Sequence, residues 1–403
     1  MSGVPSSLKL FELKLEILTP TAIASRVGYA GFVHMTLVDH IPGPVLRGAL
    51  LSEALRSGSL SREDVNKLSV SPDFALTPLL AIGRRGENLN SIKPLKSSLV
   101  AHALCYMSKW PDERTIRSPG AVKLVNKRAW ELIKELVKAG LRSRKPGWGL
   151  GEVRSVEGKP TRKVGNLWEA VKTGGWTTAY IEVGLDRSRG SSAPGVLYAY
   201  EFLKPGCTYA GLMAVREESF LMKFLDEMGP DLRLYIGRGV SRGFGKARLV
   251  LKDIDLKEIQ VEWIKSDLGD EKDTVLMALS PVFVEDGEFP LPTPPREGST
   301  LALDPGWYAT MLGKPVNVKF KVKSIYGRRR ASHAYRGWSL RTGMPKAPIR
   351  ALGMGSLLVC KVKGTMPAHT AFLLPILGLG PSSSMGFNQL APLKQDPFGG
   401  EST

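Results

Sequence analysis

The sequence is short of several things, and each shortage closes a class of function. Cysteine occurs three times in 403 residues, at Cys105, Cys207 and Cys360, far apart and with no CxxC pair. That spacing argues against a disulfide framework and against a cysteine-based zinc site. Histidine occurs five times and never at ligand spacing, so no metal is expected. No apolar run reaches the ~18 residues of a membrane span. The N-terminal stretch MSGVPSSLKLFEL has no signal-peptide core. A soluble, cytoplasmic chain with no membrane partner is expected.

Negative charge is also scarce. Asp and Glu total 38 against 56 Lys and Arg, a net charge of +18. Thermal adaptation raises lysine and glutamate together. The excess here is one-sided, so it points to nucleic acid or another acidic partner. With 403 residues, two domains can each bury a core.

What is abundant is glycine in one place. YIGRGVSRGFGKARL (235–249) sets Gly237, Gly239, Gly243 and Gly245 among Arg238, Ser241, Arg242, Phe244, Lys246 and Arg248. A dinucleotide loop needs G-x-G-x-x-G, and Gly243 comes one residue late. A P-loop fails as well: Val240 stands five before Gly245, and Ala247 stands where Ser or Thr is required. Glycines at such density expose bare main chain to a close neighbour, and guanidinium groups beside it suit a polyanion. A tight turn with solvated arginines is the other reading.

Along the chain, LKLFELKLEIL (8–18) alternates as a half-buried strand, with one slip near Phe11. Pro42 and Gly43 turn into a helix whose first turn carries Arg47 and Gly48; helix N-termini attract phosphate. Residues 60–165 read as an irregular basic insert, with one helix in AWELIKELVKAGL (129–141). Between about 180 and 205, strand, a basic Gly/Ser/Arg tip with Arg187 and Arg189, and a returning strand read as a protruding hairpin. A helix over 217–227 leads into the glycine-rich loop. After an acidic linker near 262–272, a second β-rich unit runs to about 395, followed by a tail over 396–403. It carries a basic loop with Arg328, Arg329, Arg330 and Arg336. Its segment LGLGPSSSMGFNQLAPL echoes the first glycine-rich loop, which suggests two related domains (1–262 and 272–395).

Three segments in order, IPGPVLRGAL, GLDRSRGSSAPGVLYAYEFLKPG and GRGVSRGFGKARL, resemble the RAMP superfamily of CRISPR effector subunits. GWSLRTGMPKAPIRALGMGSLLVCKVKG is similar to the second domain of the larger type III subunit, the Cas-five-like component, with a III-D type the subtype suggested. The resemblance spans most of the chain, apart from the insert, and rests on the order of motifs of moderate specificity. It implies an α+β fold of two ferredoxin-like (RRM-like) domains with glycine-rich loops and a thumb-like hairpin. It implies a non-catalytic subunit that caps the crRNA 5′ handle and meets target RNA only indirectly. Its protein partners would be the large signature subunit and backbone RAMP subunits. No cofactor is implied.

The same resemblance assigns RNA contacts to Gly237, Gly239, Gly243 and Gly245 with Arg238 and Arg242, to Gly43, Arg47 and Gly48, and to Arg187 and Arg189 on the thumb. Ser241, Phe244, Lys246 and Arg26 are further RNA-binding candidates, and Arg328, Arg329, Arg330 and Arg336 suit RNA or subunit contact. Gly337, Trp338, Gly355 and Ser356 match the second-domain motif. Phe244 and Tyr235 are candidates for base stacking, Phe244 equally for an anchor inside the fold. Some relatives cut RNA with a histidine base near the first helix, which draws attention to His34 and His40. Asp39, the acid nearest the position used by target-cutting relatives, is misplaced for that role. His333 sits in the basic loop. A metal-independent repeat endoribonuclease is therefore the rival to a scaffold.

Overall fold

The computed structural model describes residues 8–27, 33–108, 115–129, 131–132, 153–186, 191–284, 292–327, 338–339, 344–345 and 349–399. Strand β1 (Leu8–Ile17) is where the alternation put it. Its register against a later strand runs unbroken from Leu8↔Arg216 to Glu16↔Thr208, so there is no slip at Phe11. The irregular pattern has a different cause, because this sheet is buried on both faces. Phe11, Leu13, Leu15 and Ile17 face the helices. Leu8 and Leu10 face the other way, into a core shared with the second domain.

After β1 the chain makes β2 (Ala24–Val27), β3 (Val33–Thr36) and β4 (His40–Ile41), then helix α1 (Gly43–Ser57). Gly58 ends α1 in the left-handed region at φ 80, which only glycine adopts without cost. Helix α2 (Arg62–Val70) opens on a capping box between Ser61 and Asp64. Strands β5 (Phe74–Leu76) and β6 (Leu79–Arg84) both pair with one later strand. They fall inside the stretch read as an insert, and Pro78, with no N–H to donate, separates them.

The true insertion starts after Arg84. It carries β7 (Ser98–Val100), β8 (Tyr106–Ser108), β9 (Val153–Ser155), β10 (Pro160–Val164) and β11 (Leu167–Ala170). The helix expected over 129–141 lies almost wholly outside the described residues. The hairpin follows as β12 (Thr177–Asp186) and β13 (Ser191–Leu203). The chain then re-enters the sheet as β14 (Cys207–Arg216), α3 (Phe220–Met228), β15 (Asp231–Tyr235) and β16 (Lys246–Ile254), with a one-turn α4 (Leu256–Ile259) after it.

The sheet order is β15-β16-β1-β14-β6-β4, with β5 beside β14. Counting β1, β6, β14 and β16 as the four central strands gives the antiparallel order 4-1-3-2 of a ferredoxin-like fold. Helices α1 and α3 pack on one face through Leu46, Leu50, Leu221 and Phe224.

The second domain repeats the plan. It comprises β17 (Asp273–Ala278), β18 (Thr300–Ala302), α5 (Pro305–Leu312) and β19 (Lys319–Tyr326). A two-stranded ribbon, β20 (Trp338–Ser339) and β21 (Met344–Pro345), precedes β22 (Leu357–Lys363), α6 (Ala368–Leu377) and β23 (Leu390–Pro392). The order β18-β19-β22-β17-β23 is the same plan read from the opposite edge. The fold class is therefore α+β with two ferredoxin-like domains. Among the described residues, no helix is long and apolar enough to cross a membrane.

The insertion joins the two sheets. Leu99, Val100, Cys105, Met107, Leu124 and Trp168 share one continuous core with Val275, Leu357 and other residues of the second domain. Phe398, in the segment expected as a tail, is built into this core. The Asp396 carboxylate accepts from His102 Nε2 at 3.0 Å, Ala121 N at 2.6 Å and Phe398 N at 2.8 Å. Leu104 N donates to His102 Nδ1 at 3.2 Å, so Nε2 is the ring nitrogen that donates to Asp396. Phe398 packs edge-on to His102 and against Trp168.

Candidate nucleic-acid interface

All four glycines of the loop have positive φ: Gly237 80°, Gly239 77°, Gly243 87° and Gly245 80°. The reason lies mostly inside the molecule. A Cβ on Gly237 would stand 2.3 Å from Ala22 O, and one on Gly245 2.3 Å from Ile236 O. At Gly239 it would meet the Phe244 ring at 2.9 Å, and only Gly243 faces open space. The sequence suggested that a ligand comes close to this main chain. At Gly237 and Gly245 the close neighbour is the protein's own backbone.

The amides follow the same logic. Arg238 N donates to Ala22 O and Gly245 N to Pro20 O, each at 3.0 Å. The one-turn 3-10 helix Val240–Arg242 closes through Arg242 N to Gly239 O (2.9 Å) and Gly243 N to Val240 O (3.0 Å). Phe244 N also donates to Gly239 O, at 3.3 Å. Five amides are thus used internally, and the loop's conformation is set before any ligand arrives. What it presents is a crest of exposed residues: Arg238, Val240, Ser241, Arg242, Gly243 and Lys246. Arg248 is instead held by Asp231, with Nε 2.9 Å from Oδ1.

Phe244 is the anchor of the loop. Its ring centroid lies 4.7 Å from that of Phe202 on β13, which is 1% exposed. Around this pair stand Tyr180, 5.1 Å from Phe202, and Tyr200, 6.0 Å from it. The Arg242 guanidinium lies over the Tyr200 ring at 5.7 Å and over Phe244 at 5.8 Å. The loop and the root of the hairpin are therefore one unit. In sequence Tyr200 and Phe202 stand two apart on one strand face, but only the pairing of β12 with β13 sets Tyr180 opposite Tyr200. Tyr235 closes β15 opposite Lys246.

Arg26 belongs to the same neighbourhood. Its backbone in β2 pairs with Met35 of β3, and β3 runs parallel to β13 with Tyr200↔His34 in register. The order β12-β13-β3-β2 makes a small sheet beside the loop. Arg187 and Arg189 at the hairpin tip lie outside the described residues, as do Arg328, Arg329, Arg330, Arg336, Gly337 and His333. Gly48 is exposed on α1. Gly355 serves packing, since a Cβ there would stand 2.3 Å from Ala101 O.

Gly43 and Arg47 are corrections. Arg47 is 8% exposed. Its guanidinium donates to Ser384 Oγ at 2.7 Å and to Leu68 O at 2.7 Å, and lies 4.9 Å over the Phe74 ring. Burial pulls its pKa down to about 10, so it stays charged at neutral pH. A Cβ on Gly43 would strike Met385 O at 2.5 Å. The start of α1 is thus covered by the second domain, whose own loop carries a 3-10 turn (Pro381–Met385), Gly386 at φ 70, and Phe387. Val240–Arg242, Gly243 and Phe244 follow the same order. One of two matching loops is exposed and the other is a domain clasp, further held by Gln389 Nε2 donating to Leu76 O at 2.7 Å.

Of the rival catalytic residues, His34 lies in β3 opposite Tyr200 at the hairpin root, whereas His40 and Asp39 line a separate cleft. His40 is buried, and desolvation lowers its pKa to about 4, so it is neutral. Next to it, Asp39 accepts from Lys159 Nζ at 2.7 Å and Thr173 Oγ1 at 3.0 Å, in an open cleft of about 360 Å³. His34 contributes its backbone to β3. Among the described residues no three His, Cys, Asp or Glu side chains are grouped to hold a metal.

No family model matches the sequence, and no curated protein matches it. Among solved structures, it is similar to a chain of the Type III-B Cmr-beta complex bound to cognate target RNA and AMPPnP. That match has 12% identity, covers 86% of each chain and gives a TM-score of 0.39. It is also similar to a CRISPR associated protein Cas6, at 11% identity over 96% of this chain and 100% of the other, with a TM-score of 0.34. Oligomeric Cmr4 from Pyrococcus furiosus matches at 12% identity over 61% of this chain and 98% of its own, with a TM-score of 0.26. Superpositions this loose leave the fold to be read from the strand order itself.

Proposed function

We propose that the chain is an RNA-binding structural subunit of a type III CRISPR ribonucleoprotein, holding the 5′ handle of the crRNA. In this reading it docks the large signature subunit and the backbone subunits, and meets target RNA only through the assembly. The observation that carries the reading is the crest of the loop. Arg238, Arg242 and Lys246 project from a turn whose shape is fixed by its own hydrogen bonds, beside an aromatic hairpin root. A single-stranded polyanion needs such an arrangement: cations for its phosphates and ring faces for its bases. Arg26, Gly48, and the arginines at 187, 189, 328, 329, 330 and 336 are assigned to the same strand path. Gly43 and Arg47 are withdrawn from it.

The test is Arg238→Ala combined with Arg242→Ala, assayed on handle RNA across a salt series. Losing two phosphate contacts lowers the log–log salt slope by about 1.4. An unchanged affinity and slope would remove the loop from the interface. The endoribonuclease reading requires a histidine at the RNA, and the burial of His40 speaks against it. Metal-free cleavage of repeat RNA that His34→Ala or His40→Ala abolishes would restore it.

A further inference from the structure

We infer that the tyrosine pair at the root of the hairpin is a stacking platform for unpaired nucleobases, distinct from the cationic crest that holds phosphates. This rests on the RNA-binding reading above. Tyr180 and Tyr200 are direct partners across β12 and β13, so both rings leave the same face of the ribbon. Tyr180 is 42% exposed. It is nevertheless held in place, with its ring edge-on to Phe202 at 5.1 Å and 87° and within 6.2 Å of Phe244. Phe202 and Phe244 form the apolar floor.

A lone exposed tyrosine would mean little. Here two are fixed side by side on a packed aromatic floor. Arg242 brings a guanidinium plane over one of them, and Val240, 39% exposed, rises from the adjoining crest. Ring faces and a flat cation, supported from beneath by Phe202 and Phe244, match the π-face that every base shares. The ligand class is therefore single-stranded RNA with its bases turned inward, read without regard to base identity.

The experiment compares the full chain's affinity for an adenosine oligomer with that for a ribose-phosphate oligomer of equal length lacking bases. Wild type is expected to prefer the base-bearing strand roughly five- to a hundredfold. Tyr180→Leu with Tyr200→Leu should erase that preference and leave the salt slope unchanged, whereas Tyr→Phe at both positions should keep it. A 2-aminopurine in the bound strand should be quenched by wild type, which tests the platform even if the leucine variant fails to fold. Equal binding of both oligomers, or no quenching, overturns the platform while salt-dependent binding still upholds the RNA reading. Failure to bind either oligomer overturns both. Retained base preference in a folded leucine variant that no longer assembles with a backbone subunit would assign the rings to protein contact and reject the platform.

Discussion

Arg47 is the residue whose role changes most between sequence and structure, and it yields a quantitative prediction. A pKa pulled down to about 10 by burial, net of attraction to Asp73, means that holding the charge there costs about 3 kcal/mol. The arginine is charged in both folded and unfolded chains at neutral pH, so that cost is carried in full there. Two hydrogen bonds from a charged donor, to Ser384 Oγ and Leu68 O, return about 1.5–3 kcal/mol each. The balance is close to even or slightly favourable. Arg47→Ala is different, because it removes the donor, leaves both acceptors unpaired and opens a cavity over Phe74. We expect a loss of about 3–5 kcal/mol. Arg47→Met fills the space, no longer buries a charge, and should cost less than the alanine change. Urea unfolding of both variants, with Ser384→Ala completing a double-mutant cycle, measures this directly; the coupling should be about 1–3 kcal/mol. Should Arg47→Ala keep full stability and instead reduce RNA affinity and its salt slope, the clasp would be wrong and the phosphate assignment right.

Three further outcomes follow from the geometry. Gly237→Ala and Gly245→Ala should each destabilise by more than Gly243→Ala. All three positions carry the positive-φ penalty of about 1–2 kcal/mol, but only the first two add a backbone clash. Thermal melts that rank Gly243 as the most sensitive would reject this. The Asp396 carboxyl is held far below the ordinary range, with burial opposed by His102, Ser118 and the Ala121 amide. A depressed carboxylate adds stability above its unfolded pKa of about 3.9 and loses it as pH falls further, so Asp396→Asn should flatten the acid limb of a stability–pH curve. A variant limb that parallels wild type from about pH 5 down to pH 2 would refute it. Finally, Trp168→Ala removes the ring under Phe398 and should expose the insertion to hydrogen exchange before the β1–β14 ladder. Simultaneous exchange of both would contradict it.

Much of the fold was legible in local pattern. The alternation in β1, the hairpin and the repeated glycine-loop segments each carry their signal within one short window. Legibility failed where a residue's environment is supplied from far along the chain. Phe11 looked like a slip because Leu8 and Leu10 answer to a sheet that begins at Asp273. The second strand of the first domain was hidden by Pro78. Arg47 looked like a phosphate ligand because nothing near it reveals Ser384, 337 positions away. At the loop, glycine density correctly marked a close approach, but whether ligand or self approaches is a tertiary fact. The tyrosines became legible only when strand pairing set them opposite each other and beside Arg242.

The buried Asp396 carboxylate has a consequence for how the chain is made. It meets His102 across 294 positions of sequence. During synthesis the first ferredoxin unit can close as soon as β16 emerges. The core of the insertion cannot be sealed until Phe398 is out of the ribosome. Until then Leu99, Val100 and Trp168 lack the partners that cover them in the folded core, and transiently uncovered apolar surface of this kind is prone to aggregate.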